Sequence, residues 1–132
     1  MKLISPSSRP LGWFLAFFLL SAAIFIEALH GPTIDDSVFP YLDKIAHAAA
    51  FGLLTLLLLR YLRSIGFANG WRILLGVGLT ITAMGVLDEW VQSSVPGRTA
   101  SPMDVLADVA GAGFSVFLCF LWPAKPPETG RK

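Results

Sequence analysis

The sequence has few charged residues, on which soluble domains depend, and one cysteine, whereas secreted scaffolds depend on several. Only 14% of its 132 residues are charged and 55% are hydrophobic, so a soluble domain of this length could not bury its apolar surface. Cys119 is the single cysteine, which excludes a disulfide within the chain. The basic residues form no patch that would support nucleic-acid binding. These absences point to a protein whose solvent is the lipid bilayer.

Polar residues are also nearly missing from four long stretches of the chain. The stretches are residues 11–29, 45–62, 73–90 and 103–122. Each is close to the roughly 20 residues that a helix needs to cross the hydrocarbon core. A soluble four-helix bundle is the alternative, but it would show a polar stripe on each helix, and residues 11–26 and 73–87 have none.

We therefore predict an all-α polytopic membrane protein with four transmembrane helices in an antiparallel bundle. The predicted helices cover residues 11–29, 43–63, 72–92 and 102–122. They form one domain, 1–124, which a polar cytoplasmic tail follows at 125–132. The first apolar run ends in Glu27 without a small-x-small cleavage pattern, so we expect it to be an uncleaved helix and not a signal peptide.

Each side of the predicted membrane has little charge of one sign. Eight of the ten cations fall on one side: Lys2, Arg9, Arg60, Arg63, Arg72, Lys125, Arg131 and Lys132. Eight of the nine anions fall on the other: Glu27, Asp35, Asp36, Asp43, Asp88, Glu89, Asp104 and Asp108. Because cytoplasmic loops carry an excess of Lys and Arg, we predict cytoplasmic termini and acidic residues that face outward.

A polar pocket is predicted at the outer end of the bundle. Its members lie within about two turns of the outer surface on the second, third and fourth helices and the turn between the last two. They are Asp43, Lys44, His47, Asp88, Glu89, Gln92, Arg98, Asp104 and Asp108. Ionisable residues within spans are costly and usually functional. The alternative is a set of helix caps and interface residues with no shared role.

That alternative is strongest for Asp43, Lys44 and Asp104 taken singly. The two acids complement the helix dipole in the first turn. Ser101, Pro102 and Asp104 also form a capping sequence. It is weakest for Asp108, Glu89 and His47 taken together, because ionisable groups within a span are costly. Asp108 also lies beside a row of small residues that favours helix contact. The small residues are Ala107, Gly111, Ala112 and Ser115.

Three motifs carry a resemblance to a known family. They are Asp43-Lys44-x-x-His47-x-x-x-Phe51, Asp88-Glu89-x-x-Gln92-x-x-x-Pro96-Gly97-Arg98 and Asp104-x-x-x-Asp108-x-x-Gly111. In this order, over residues 41–115, they resemble the VanZ-like family of small bacterial membrane proteins, named for an accessory protein of glycopeptide-antibiotic resistance. Two departures are Asp108, where the family usually has asparagine, and Ser115, where a glycine is often found. The resemblance implies a multi-pass protein of the bacterial cytoplasmic membrane and a link to cell-envelope precursors or the antibiotics that bind them.

Two functions from different classes fit these residues, and they leave open whether the chain is an enzyme. The first is an accessory or binding protein in which Arg98 binds a phosphate or carboxylate of a lipid-linked cell-wall precursor. Lys44, Gln92, Asp104 and Asp108 complete that ligand-binding set. The alternative is an intramembrane hydrolase or transferase acting on a lipid-linked phosphate. Its predicted catalytic residues are His47, as base or nucleophile, with Asp43 or Asp88 to position it, and Glu89.

The charge of the predicted pocket bears on cofactors. Its five carboxylates outweigh Lys44 and Arg98, a deficit that protonated carboxyl groups or a divalent cation would resolve. The spacing matches no metal-binding signature, so we predict no metal ligand and no cofactor, and a divalent cation stays an alternative. The bilayer is the predicted partner, and the oligomeric state is not determined. Ion conduction ranks last because the inner halves of the spans are almost entirely apolar.

Overall fold

The computed structural model describes residues 8–31, 41–67 and 70–121. Over these residues the chain forms four helices and no strand: α1 Ser8–Ala28, α2 Leu42–Ser64, α3 Trp71–Gln92 and α4 Pro102–Leu121. Each helix is long and apolar enough to cross a membrane, which confirms the prediction of an all-helical protein with four such helices. The tail at 125–132 and the predicted loop with Asp35 and Asp36 lie outside the described residues.

The helix ends follow the turn chemistry of the sequence. Gly66 takes a positive φ of 95° directly after α2, and Phe67 N–H donates to Leu62 O at 3.0 Å. This is a Schellman termination, which favours glycine because other residues rarely adopt that backbone conformation. Pro102 is the first residue of α4, where its missing N–H costs no hydrogen bond.

Consecutive helices run in opposite directions, so α1 and α3 end where α2 and α4 begin. We call this the polar end of the bundle. The most extensive contact is between α2 and α4, which are parallel to each other, and α1 and α4 do not contact each other over the described residues. The polar end is therefore built around a central parallel pair, with α1 and α3 packed against it.

Small residues let α2 and α4 approach closely. A Cβ atom added to Gly111 would overlap the backbone of Ala48. Below this point, Ser115 Oγ donates to Gly52 O at 2.8 Å, a hydrogen bond that needs the same close approach. The predicted helix-contact surface on α4 is confirmed, and it orients Asp108 towards α2 and α3.

The buried core is small and the outer surface is apolar. The buried hydrophobic cluster comprises Phe51, Leu54, Leu59, Val77, Ile81, Ala112 and Cys119. Large side chains such as Phe18, Leu79 and Phe120 are exposed on the outside of the helices. Such a surface suits lipid, because an exposed apolar belt of this size is rare on soluble monomers.

Arginines lie at the end opposite the polar end. Arg63 Nη2 donates to Cys119 O at 3.3 Å, which joins the last turns of α2 and α4. The Arg60 guanidinium lies 6.0 Å from the centroid of the Trp13 ring, at the start of α1. Over the described residues, the carboxylates thus lie at the polar end, where only Lys44 and Arg98 are basic, and the other arginines lie towards the opposite end.

Candidate functional site

His47 lies at the centre of the polar end, in the second turn of α2. Its Nδ1 is 3.0 Å from Oδ1 of Asp108, on α4. Because an ionised carboxylate only accepts hydrogen bonds, we assign the proton to Nδ1, which leaves Nε2 for other contacts. Nε2 is 3.9 Å from Glu89 Oε1 and 4.0 Å from Asp43 Oδ1. The hydrogen-bond partner of His47 is thus Asp108, whereas the sequence led us to expect Asp43 or Asp88.

Asp88 and Glu89, near the end of α3, each use one carboxylate oxygen in a hydrogen bond. Gln92 Nε2 donates to Asp88 Oδ2 at 2.9 Å. The backbone N–H of Ser101 donates to Glu89 Oε2 at 2.6 Å. Ser101 directly precedes α4, so Glu89 of one helix caps the start of another.

The hydrogen bond from the Ser101 N–H also offsets an unfavourable interaction between Glu89 and the dipole of its own helix, α3. A carboxylate near the C-terminus of its own helix meets the negative pole of the dipole, which costs a few tenths to about 1 kcal/mol. Glu89 lies against the positive pole of α4, which offsets that cost. Asp104, which the sequence predicted as the capping acid, instead accepts a hydrogen bond from Lys44 Nζ at 2.9 Å.

Arg98 has a partner that the sequence did not identify. Its Nη2 donates to Oε1 of Glu27, at the end of α1, at 2.7 Å. Glu27 is half-exposed, with a side-chain exposure of 48%. The sequence could have indicated Glu27 as a member of the polar end, because its predicted depth in the membrane equals that of the other acids there.

Three buried carboxylate oxygens have no hydrogen-bond partner among the described residues: Asp88 Oδ1, Glu89 Oε1 and Asp108 Oδ2. The residues that carry them are 2%, 4% and 0% exposed, respectively. Asp108 Oδ2 packs against Gly85 of α3, where an added Cβ would come within 2.5 Å of it. An unpaired buried acceptor costs about 1–3 kcal/mol, and more when it is charged.

A groove between α1 and α2 has His47 among its lining residues. It measures about 360 Å³. Its lining residues are Ala23, Ile24, Glu27, Asp43, Ala46, His47 and Ala50. The walls are apolar and the polar groups gather at one end, so the groove suits an amphiphile.

The structure brings most of the predicted site residues into one connected cluster. The cluster consists of Asp43, Lys44, His47, Asp88, Glu89, Gln92, Asp104 and Asp108. Arg98 pairs with Glu27 instead. Whether any of these residues binds a ligand or reacts stays a prediction.

Four apolar helices that enclose several carboxylates around one histidine define a polytopic membrane protein with an ionisable centre at one end. Within that class, the chain belongs to the VanZ/LLP1 family, whose sequence profile matches residues 5–123. The family that the three motifs predicted is thereby confirmed, and the match extends beyond residues 41–115 to include α1. Comparisons with curated proteins and with solved structures found no match.

Proposed function

We propose that this VanZ/LLP1 protein binds the head group of a lipid-linked cell-envelope precursor in the outer leaflet of the bacterial cytoplasmic membrane. The observation that carries the proposal is the groove between α1 and α2, which joins apolar walls to Glu27, Asp43 and His47. A ligand with a long hydrocarbon chain and a polar head matches this division. Binding sites of this kind are concave, mostly apolar and oriented by a few polar groups.

The position of the charges supports an outward-facing polar end. Arg60, Arg63 and Arg72 lie at the opposite end of the bundle, where the positive-inside rule places the cytoplasm. A precursor that has reached the outer leaflet would then meet the groove from the side, through the bilayer.

The groove itself selects the part of the head group that enters it. Glu27 and Asp43 offer hydrogen-bond acceptors, so hydroxyl and amino groups suit the groove better than a bare phosphate does. Arg98 is already paired with Glu27, and a phosphate would have to compete with that carboxylate. We therefore assign the sugar or peptide part of the head group to the groove and the phosphate to its rim, beside Arg98.

A bound precursor would be shielded from other molecules that recognise it. Glycopeptide antibiotics act by binding such precursors, so occupancy of the groove would lower susceptibility to them. This part of the proposal concerns the consequence of binding and needs no chemical step.

A second candidate function, hydrolysis or group transfer on a lipid-linked phosphate, is favoured by one specific contact. Asp108 fixes the tautomer and the orientation of His47, which leaves Nε2 to take a proton from a water or hydroxyl group. The same division of roles between carboxylate and imidazole is found in hydrolytic triads. His47 would then be the catalytic residue and Asp108 the positioning residue.

Thermal unfolding in detergent tests the binding proposal. The probes are polyprenyl phosphate, polyprenyl pyrophosphate and a complete lipid-linked wall precursor, each with and without Mg²⁺, and phosphatidylglycerol is the control lipid. A ligand that binds only the folded protein raises the Tm, and we expect the complete precursor to do so most strongly. An equal effect of all four lipids would contradict the proposal.

A matched pair of substitutions places the ligand in the groove. Ala46→Phe fills the groove between α1 and α2, whereas Ala49→Phe projects from the same helix into the surface between α2 and α4. Both alanines are exposed, so neither change disturbs the core. We expect the precursor-dependent rise in Tm to disappear in Ala46→Phe and to persist in Ala49→Phe.

Product analysis separates the two functions. If the protein is a hydrolase or transferase, incubation with the precursor releases phosphate or a transferred head group, and His47→Gln stops this while the Tm rise persists. Absence of turnover over many hours, with binding intact, would exclude the second candidate and leave the binding function.

A further inference from the structure

We propose that His47, Asp88 and Glu89 bind one divalent transition-metal ion at the polar end of the bundle. Each of the three residues offers a donor atom, and these atoms lie within 4.8 Å of one another. The His47 Nε2 and Glu89 Oε1 atoms are 3.9 Å apart, a separation that two ligands of one ion can adopt after a small inward movement.

The unpaired carboxylate oxygens point independently to a cation. Asp88 and Glu89 each satisfy one oxygen, through Gln92 and the Ser101 N–H, and each leaves the other without a partner among residues 8–31, 41–67 and 70–121. Both side chains are almost fully buried, so bulk water does not compensate them. A metal ion accepts electron pairs from both free oxygens at once and removes the cost of burying them.

Asp108 orients His47 as a metal ligand. A histidine that binds a metal through one nitrogen almost always donates its other N–H to a carboxylate or carbonyl, which fixes the tautomer and orients the ring. Here the His47 Nδ1–H faces Asp108 at 3.0 Å, and Nε2 lies 3.9 Å from Glu89 Oε1, on α3. One nitrogen and two carboxylate ligands suit Mn²⁺, Fe²⁺, Co²⁺ or Zn²⁺ better than Ca²⁺ or Mg²⁺, which prefer oxygen ligands alone.

A second group of donor atoms, from Asp43, His47 and Asp104, also lies within 4.8 Å. It is the weaker set because Asp104 Oδ1 already accepts a hydrogen bond from Lys44 at 2.9 Å. The Lys44 ammonium would also repel an ion placed beside that oxygen. Asp104 therefore serves as a matched control for Asp88 and Glu89.

Occupancy of this site does not depend on the nature of the lipid ligand. A bound ion would also lower the negative charge that surrounds His47 and let a phosphate approach from the rim, a consequence that rests on the proposed function.

The test uses purified full-length protein in detergent, stripped with a chelator and titrated with Zn²⁺, Mn²⁺ or Mg²⁺ by calorimetry, with metal content measured after desalting. We expect one equivalent of Zn²⁺ or Mn²⁺ per chain and much weaker Mg²⁺ binding. Asp88→Asn and Glu89→Gln should each weaken the affinity by at least about tenfold, because loss of even an outer-shell partner has that effect. Asp104→Asn should change the affinity far less.

Asp88→Asn and Glu89→Gln keep the hydrogen bonds that support the fold, since the amide oxygen that each change introduces can still accept from Gln92 or from the Ser101 N–H. If Asp88→Asn or Glu89→Gln fails to fold, a spectroscopic measurement on the native protein still tests the site. Bound Mn²⁺ should show hyperfine coupling to an imidazole nitrogen in the native protein, and Asp104→Asn should keep this coupling.

Three results would overturn the inference: no metal uptake at any ratio, no nitrogen coupling, or a loss in Asp104→Asn as large as in Glu89→Gln. The first would mean that protons neutralise the buried carboxylates. Metal binding without any precursor-dependent change in Tm supports this site and contradicts the proposed function, and the reverse outcome does the opposite.

Discussion

The carboxylates at the polar end differ in what surrounds each of them, although the sequence presents them as similar. Asp104 pairs with Lys44, and Glu27 pairs with Arg98 near the surface. Asp108 is completely buried, with one oxygen on His47 and the other against Gly85. Because the last contact depends on the absence of a side chain on α3, the position of Asp108 is sensitive to a single methyl group.

We expect Gly85→Ala to displace the Asp108 carboxylate from His47. The new Cβ would lie 2.5 Å from Asp108 Oδ2 and 3.3 Å from its Cβ and Cγ, which predicts a stability loss of about 1–3 kcal/mol, as in other overpacked cores. Thermal or denaturant unfolding in detergent measures the loss. Gly78→Ala in the same helix is the control, since no atom lies within 4 Å of its added Cβ.

A double-mutant cycle identifies the cause of that loss. Asp108→Ala removes the atoms that the new methyl group meets, so Gly85→Ala should cost clearly less in that background. Equal costs in the two backgrounds would show that the strain arises elsewhere in α3.

The individual helices contribute to the site through their ends and through one row of small residues. The first two turns of α2 and α4 and the last two turns of α3 carry the polar side chains, and Glu89 of α3 caps α4. The row of small residues on α2 and α4 sets how closely these helices approach, and so whether His47 reaches Asp108. Helix contacts in membranes rely on such packing because lipid removes the hydrophobic driving force between helices.

Two glycines of α4, two residues apart, test this role of packing. Gly111→Ala should separate α2 from α4, because its Cβ would overlap the backbone of Ala48, and we expect a loss of at least about 1–3 kcal/mol. Gly113→Ala has open space around its Cβ and should leave stability unchanged or raise it by up to about 1 kcal/mol, the difference in helix propensity. Similar unfolding curves for the two variants would contradict the assigned helix contact.

At the scale of the bundle, most charges of opposite sign in the described residues lie at opposite ends, with Lys44 and Arg98 as the basic residues of the polar end. Carboxylates and His47 occupy the polar end, and Arg60, Arg63 and Arg72 occupy the other. In a membrane this separation sets the orientation of the chain, since moving the arginines across the bilayer is unfavourable.

Labelling with a membrane-impermeant maleimide tests the orientation in intact cells. In a Cys119→Ser background, Ser94→Cys at the polar end and Phe67→Cys at the opposite end are both exposed positions. We predict that Ser94→Cys reacts in intact cells and that Phe67→Cys reacts only after permeabilisation. The opposite pattern would place the polar end in the cytoplasm and exclude a precursor of the outer leaflet as the ligand.

The sequence predicted the positions of some site residues but not all of the contacts that they make. Motif spacing and predicted depth brought Asp43, His47 and Asp88 to one end of the bundle, since they depend only on where each helix begins and ends. The partner of Arg98 was missed, because Glu27 lies 71 residues away on a helix whose rotation about its own axis has no signature in its apolar sequence. The sequence also did not predict that Glu89, and not Asp104, caps α4, because this cap depends on a contact between two helices.

The sequence by itself determined the four apolar helices, their approximate ends, the separation of charge and the family, because hydropathy, turn chemistry and motif spacing are properties of local segments. Only the tertiary structure decided that His47 meets Asp108, 61 residues further on, and that Glu89 caps the neighbouring helix. The physical reason is that such pairs depend on the rotation and separation of whole helices. These are set by the packing of Ala48 against Gly111 and of Gly52 against Ser115, where the lack of bulk lets α2 and α4 approach each other closely.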